Sequence, residues 1–110
     1  MTHSSDKQFA IDIINGAPIS SKAWLSFDHS VADIPSQVPS KYKELIAIAV
    51  ALTTQCPYCI EKHITKAKEQ GITQEEIAET IMIAAALRSG AALGYGLLAM
   101  KLFKSENNGG

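Results

Sequence analysis

The chain has 110 residues, 46% of them hydrophobic and 19% charged, and its ten Lys and Arg against eleven Asp and Glu leave a formal net charge of -1. So large an apolar share with so little net charge excludes intrinsic disorder, and without a basic excess no nucleic acid is expected as a partner. The length suits one domain, and the longest apolar run, Leu45 to Leu52, falls far short of the roughly 20 residues that span a bilayer. Met1 to Lys7 has no apolar stretch of the kind a secretory signal needs, so the expectation is a cytoplasmic protein with no membrane partner.

The pattern along the chain is helical throughout, and the predicted fold class is all-α. Lys7 to Ile14 reads as a short helix ended by Asn15-Gly16, with Pro18 just beyond. Ser21 to Val31 places Ala23, Trp24, Phe27 and Val31 at helical spacing, predicting a stripe in which Trp24 and Phe27 enter the core. Pro35 and Pro39 mark Ala32 to Ser40 as a loop. From Lys41 the sequence is apolar almost all round, as in a buried helix, until Thr53-Thr54-Gln55. Cys56-Pro57 opens the next helix, with Pro57 suited to a first turn and Gly71 to a left-handed stop. Thr73 to Glu76 is a capping box, and it starts a helix that turns Ile77, Ile81 and Ala84 or Ala85 inward. Arg88-Ser89-Gly90 predicts a break or bend before a last helix from Ala91 to Phe103. The expected organisation is an N-terminal helix and arm over 1–19, a helical domain over 20–104 and a flexible tail over 105–110. His3 and His29 read as surface residues, and Lys62, Lys66 and Lys68 as a solvated face.

The chemistry gathers in Gln55-Cys56-Pro57-Tyr58-Cys59-Ile60-Glu61-Lys62-His63. In a cytosolic chain a C-x-x-C pair is more often redox-active or metal-binding than structural. A cysteine at a helix start meets unpaired N–H groups and the positive end of the dipole, which favour the thiolate. At 100° per residue Cys56, Cys59 and His63 fall at about 0°, 300° and 340°, within one narrow stripe. His63 is then one turn from Cys59, close enough to serve it as a base. Glu44 precedes Cys56 by twelve positions, about 18 Å along one straight helix. A reversal at Thr53 to Gln55 changes this. Glu44 then lies about 15 Å from the turn on one arm and His63 roughly 11 Å on the other, a difference that a glutamate side chain closes.

Glu44, the twelve-residue step, the pair Cys56-Pro57-Tyr58-Cys59 and His63 together resemble the AhpD-like alkylhydroperoxidases, the redox branch of the carboxymuconolactone decarboxylase superfamily. Lys43-Glu44-Leu45-Ile46-Ala47 before the pair and Arg88-Ser89-Gly90 after it extend the likeness over roughly residues 20–103. The resemblance implies a single-domain helical fold with the C-x-x-C at a helix N-terminus. It also implies a homotrimer or homohexamer and a peroxiredoxin-type antioxidant activity that reduces hydroperoxides. In that family Cys59 would be the attacking thiolate, Cys56 the resolving thiol, and Glu44 with His63 a proton relay. No cofactor, metal or flavin is implied. Electrons would return from an external thiol donor, either a dihydrolipoyl protein or a thioredoxin-like one. Two features run against this pattern. The helix-start argument makes Cys56 the more exposed and acidic thiol. Tyr58 stands where the characterised peroxidases carry a histidine, and a phenol is no base at neutral pH.

Alternatives remain at this level. A general thiol-disulfide oxidoreductase with little peroxidase activity would fit Tyr58. A zinc-stabilised binding module could draw on Cys56, Cys59, His63 and Glu44, although structural zinc sites usually bring a second C-x-x-C or paired histidines. A decarboxylase of the parent superfamily would not need the cysteine pair. Cys-Pro-Tyr-Cys also occurs in glutaredoxins, but that fold requires a strand before the pair and a later cis-proline, and here the pair follows a helix with no proline after Pro57.

Overall fold

Three devices at helix termini organise the part of the chain that matters for the site. At Gln55 the backbone enters the left-handed region (φ 59°, ψ 49°) and the N–H of Cys56 bonds back to Ala51 O at 3.0 Å, which stops one helix and redirects the chain. At Gly71 (φ 75°) the N–H of Ile72 bonds to Ala67 O and that of Gly71 to Lys68 O. This Schellman pattern needs a residue that tolerates positive φ. At Thr73 the capping box is complete: Thr73 Oγ1 accepts from Glu76 N at 3.1 Å and Glu76 Oε1 accepts from Thr73 N at 2.9 Å.

The computed structural model describes residues 4–105 and, among them, contains helices and no strand. A 3-10 turn over Ser4–Phe9 is followed by α1 (Ala10–Gly16), α2 (Pro18–Ala32), α3 (Ser40–Thr54), α4 (Pro57–Glu69) and α5 (Gln74–Lys104). Pro18 opens α2 at its first turn, where its missing N–H costs nothing, so this helix starts earlier than the sequence pattern suggests. Lys43 closes the other end of α2, donating from Nζ to Val31 O at 2.8 Å and Ile34 O at 2.9 Å. Of the expected tail, the part beyond Ser105 lies outside the described residues.

The core is small and sits where α3 packs on α4 and α5. Ile48 and Ala67 are 1% exposed, Ile72 closes the cluster, and Leu45, Leu52, Ile64 and Ile77 pack around it. Ala84 is buried as expected, whereas Ile81 is 43% exposed.

Two expectations are corrected here. Arg88-Ser89-Gly90 does not break the helix: α5 runs unbroken for 31 residues. Ser89 Oγ bonds to Ala86 O one turn back and Arg88 donates from Nη1 to Thr53 O, so both polar side chains are satisfied without leaving helical geometry. The helix is therefore long and apolar enough to cross a membrane by length and composition, which the count of consecutive apolar residues missed. Trp24 and Phe27 do not enter the core; they are 60% and 65% exposed. Besides its packing on α1, α2 is held to the hairpin by polar ties, among them Lys62–Asp28 and Lys66–Asp33, and its apolar stripe faces outward. The radius of gyration, 19.3 Å, is well above the roughly 13 Å of a compact chain this long, so the single chain is open.

The capping box gives a direct stability test. Thr73→Ala removes the acceptor for Glu76 N and should cost about 1 kcal/mol, read as a lower midpoint in a denaturant melt. Glu76 is held below the ordinary glutamate range by the Lys41 ammonium first and the Thr73 backbone second. The support it lends is complete above that range and disappears as the pH falls through the depressed value.

Candidate active site

The reversal at Gln55 makes α3 and α4 an antiparallel hairpin, and it brings Glu44 beside His63. Glu44 Oε2 accepts from His63 Nδ1 at 2.6 Å, with the two side chains 5% and 17% exposed. With the Nδ1 proton toward the carboxylate, a neutral ring would present Nε2 as its acceptor. A carboxylate this deeply buried needs partners for both oxygens. The second one, Oε1, faces Lys66 Nζ at 3.7 Å.

Cys56 is the N-cap of α4: its Sγ accepts from the N–H of Cys59 at 3.3 Å, and Pro57 supplies the first turn. The two cysteines are joined as a disulfide with their Cα atoms 5.3 Å apart. Cys56 is half-buried under the turn while Cys59 is exposed. That reverses the exposure expected from the helix-start argument. The reason is local: the left-handed Gln55 folds the chain back over Cys56, and Cys59 stands one turn further along the open face.

A groove of about 590 Å3 runs along this face. Val31, Val38, Ile46 and Val50 form apolar walls, with Glu44, Cys59 and His63 among its lining and Cys56 absent from it. Ile46 and Val50 are over half exposed, so only one side of α3 belongs to the core and the other serves the groove.

Sequence reasoning missed two surrounding sets of contacts. Lys66, read as solvated, also donates to Asp33 Oδ1 at 3.3 Å, and Asp33 in turn contacts His29 Nδ1 at 3.1 Å. The bond from His29, and after it that from Lys66, holds the Asp33 carboxyl below its ordinary value. The signal was available, since Lys66 is one turn past His63 and shares its face. On the far side of the pair Tyr58 donates from its hydroxyl to Asp6 Oδ2 at 3.0 Å, and Lys7 reaches Glu61 at 3.2 Å. The Asp6 carboxylate raises the Tyr58 pKa, which keeps the phenol protonated. The described residues hold no group of three or more His, Cys, Asp or Glu placed to bind a metal ion.

A helical hairpin with Glu and His in contact on its two arms, and a C-x-x-C disulfide at the start of the second arm, defines an all-α AhpD-like protein. The chain belongs to the carboxymuconolactone decarboxylase family, whose model matches residues 18–102. Two solved structures share the fold. One is a protein from Methanobacterium thermoautotrophicum, with a TM-score of 0.74 and 26% identity over 79% of this chain and 97% of that one. The other is a carboxymuconolactone decarboxylase family protein from Legionella pneumophila in its apo form, with a TM-score of 0.69 and 27% identity over 92% of this chain and 90% of that one. Among curated proteins, "Uncharacterized protein 4 in cox locus" of Paracoccus denitrificans is 53% identical over 53 residues, 48% of each chain. An uncharacterized protein of Cupriavidus necator is 31% identical over 70 residues, 64% of this chain and 62% of its own. The matches thus span between about half and under two thirds of these curated relatives.

Proposed function

We propose that the protein is a thiol-dependent peroxidase that reduces hydroperoxides through Cys59 and Cys56, with Glu44 and His63 handling the protons. The observation that carries this reading is the shared groove: Cys59, His63 and the buried Glu44 line one cavity, and the Glu44–His63 bond would leave Nε2 of a neutral ring as acceptor. In the reduced protein His63 takes the Cys59 proton, and the thiolate attacks the outer peroxide oxygen. The O–O bond breaks, an alcohol leaves with the returned proton, and Cys59 becomes a sulfenic acid. Cys56 then displaces water from that sulfur and forms the disulfide, the state seen in the structure. An external dithiol, a dihydrolipoyl or thioredoxin-like protein, reduces it by exchange and leaves as a disulfide itself.

The test is hydroperoxide consumption with a dihydrolipoyl donor, using wild type and both cysteine-to-serine variants. Turnover that needs both cysteines supports the reading; donor-dependent reduction of a disulfide substrate without peroxide consumption replaces it with the thiol-disulfide oxidoreductase. Tyr58 is the observation that favours this second reading, since its hydroxyl is committed to Asp6 and offers no base.

Assembly and location belong to the same proposal. In the single chain Leu93, Tyr95, Leu97, Phe103, Trp24 and Phe27 are all more than half exposed, more apolar surface than an isolated domain carries stably in water. Covering α2 and α5 with further copies accounts for this surface in a cytoplasmic homotrimer or homohexamer. Arg88, mid-way along α5 and bound to Thr53 O, argues against α5 lying in lipid. Light scattering should give three or six times 11.8 kDa, and a stable monomer would contradict the assembly.

A further inference from the structure

Glu44 divides its two oxygens between two residues of α4. Oε2 serves His63, and Oε1 faces the ammonium of Lys66, which sits between the buried carboxylate and the exposed Asp33. We infer that Lys66 is a positioning residue for the Glu44–His63 pair: its charge aims the carboxylate and sets how strongly that carboxylate holds a proton on the imidazole. This inference rests on the proton-handling role proposed for Glu44 and His63.

Three observations support it. Glu44 is 4% exposed, so water is a poor substitute for a partner on Oε1. Lys66 is anchored rather than loose, because Asp33 at the end of α2 holds it at 3.3 Å while its side chain is only 30% exposed. Several other charged groups on the hairpin and the helices packed against it are already engaged. Lys43 on α3 is bound to the carbonyls of Val31 and Ile34, and Lys62 on α4 faces Asp28 of α2. His29 on α2 contacts Asp33, while from α5 Glu76 pairs with Lys41 and Arg88 donates to Thr53 O. Among the described residues, Lys66 is the lysine or arginine paired with Glu44, at 3.7 Å.

The sign follows from charge. A positive group beside Glu44 offsets part of the carboxylate's attraction for a proton on His63. Without it Glu44, and Asp33 behind it, favour the imidazolium, and the neutral base appears only at higher pH. In Lys66→Met the rising, acid-side limb of the pH profile for disulfide formation with tert-butyl hydroperoxide, followed by the loss of free thiols in the reduced protein, should move up by about half to one pH unit. The high-pH plateau should stay within about twofold of wild type. Lys66→Arg keeps the charge and should restore the wild-type limb. Asp33→Asn leaves the ammonium to Glu44 and should move the limb downward, which provides a second reading if Lys66→Met folds poorly.

A uniform loss of rate at every pH with the limb unmoved, or no change at all in either Lys66→Met or Asp33→Asn, would overturn the inference. Glu44→Gln and His63→Asn separate its failure from that of the underlying reading. If neither alters the wild-type profile, the proton-handling role itself is wrong; if they do and the Lys66 and Asp33 variants do not, only the positioning role falls.

Discussion

Exposed to a hydroperoxide, the reduced Cys56→Ser protein is expected to accumulate a sulfenic acid on residue 59 and stop there, whereas Cys59→Ser should form none at a comparable rate. The contrast should be close to all-or-none when a dimedone-type reagent traps the sulfenic acid and mass spectrometry locates it. It follows from where the sulfurs stand. Cys59 lines the groove with His63 and Glu44, one helical turn from the ring, while Cys56 is half-buried under the turn and outside the groove. The helix dipole favours a thiolate on Cys56, but a thiolate that hydroperoxide does not reach contributes little. The fold should tolerate the experiment, because serine is itself a good N-cap and can accept from the N–H of Cys59 as Cys56 does. Label on Cys56 in Cys59→Ser, with none on Cys59 in Cys56→Ser, would reverse the roles and favour thioredoxin-like chemistry.

Replacing His63 should cost the rate of peroxide-driven disulfide formation about 10²–10⁴-fold near neutral pH, the range associated with losing a positioned base. The loss should shrink as the pH rises and the thiolate forms without help. Glu44→Gln should cost less, about tenfold, because the amide oxygen still accepts from Nδ1–H and fixes the tautomer while the negative charge that stabilises the imidazolium is gone. Stopped measurements of free thiols after hydroperoxide addition give both numbers. Equal losses at low and high pH would mean that His63 is only structural. Full retention of rate in both variants would remove the pair from the mechanism.

The hairpin was readable because its signals are local. Pro57 after Cys56, Gly71 and the Thr73–Glu76 box each act within a few residues, and each sits at the boundary its chemistry implies. The Glu44–His63 contact needed only one further step, counting rise per residue from a single reversal. Where the reading went astray, the deciding information lay elsewhere in space. Trp24 and Phe27 have the spacing of a buried stripe, but spacing says which face is apolar and not what covers it. Gly90 weakens a helix in isolation, yet α5 continues through it, supported by a serine bonded one turn back and an arginine bonded to the end of α3. Lys66 looked like any exposed lysine because its partners, Glu44 and Asp33, come from two other segments.

The disulfide joins residues only three positions apart, inside the first turn of a helix. A cross-link earns stability chiefly by restricting the unfolded chain, and for so short a loop the restriction is worth only about 2 kcal/mol, against nearly 5 for a loop of about a hundred residues. Opening this bond therefore costs the fold less than half of what opening a bridge between distant segments would. In the redox cycle proposed above, the reduced half of each turn would give up only that smaller share of stability, so redox state would be tied less tightly to architecture than by a bridge between distant segments.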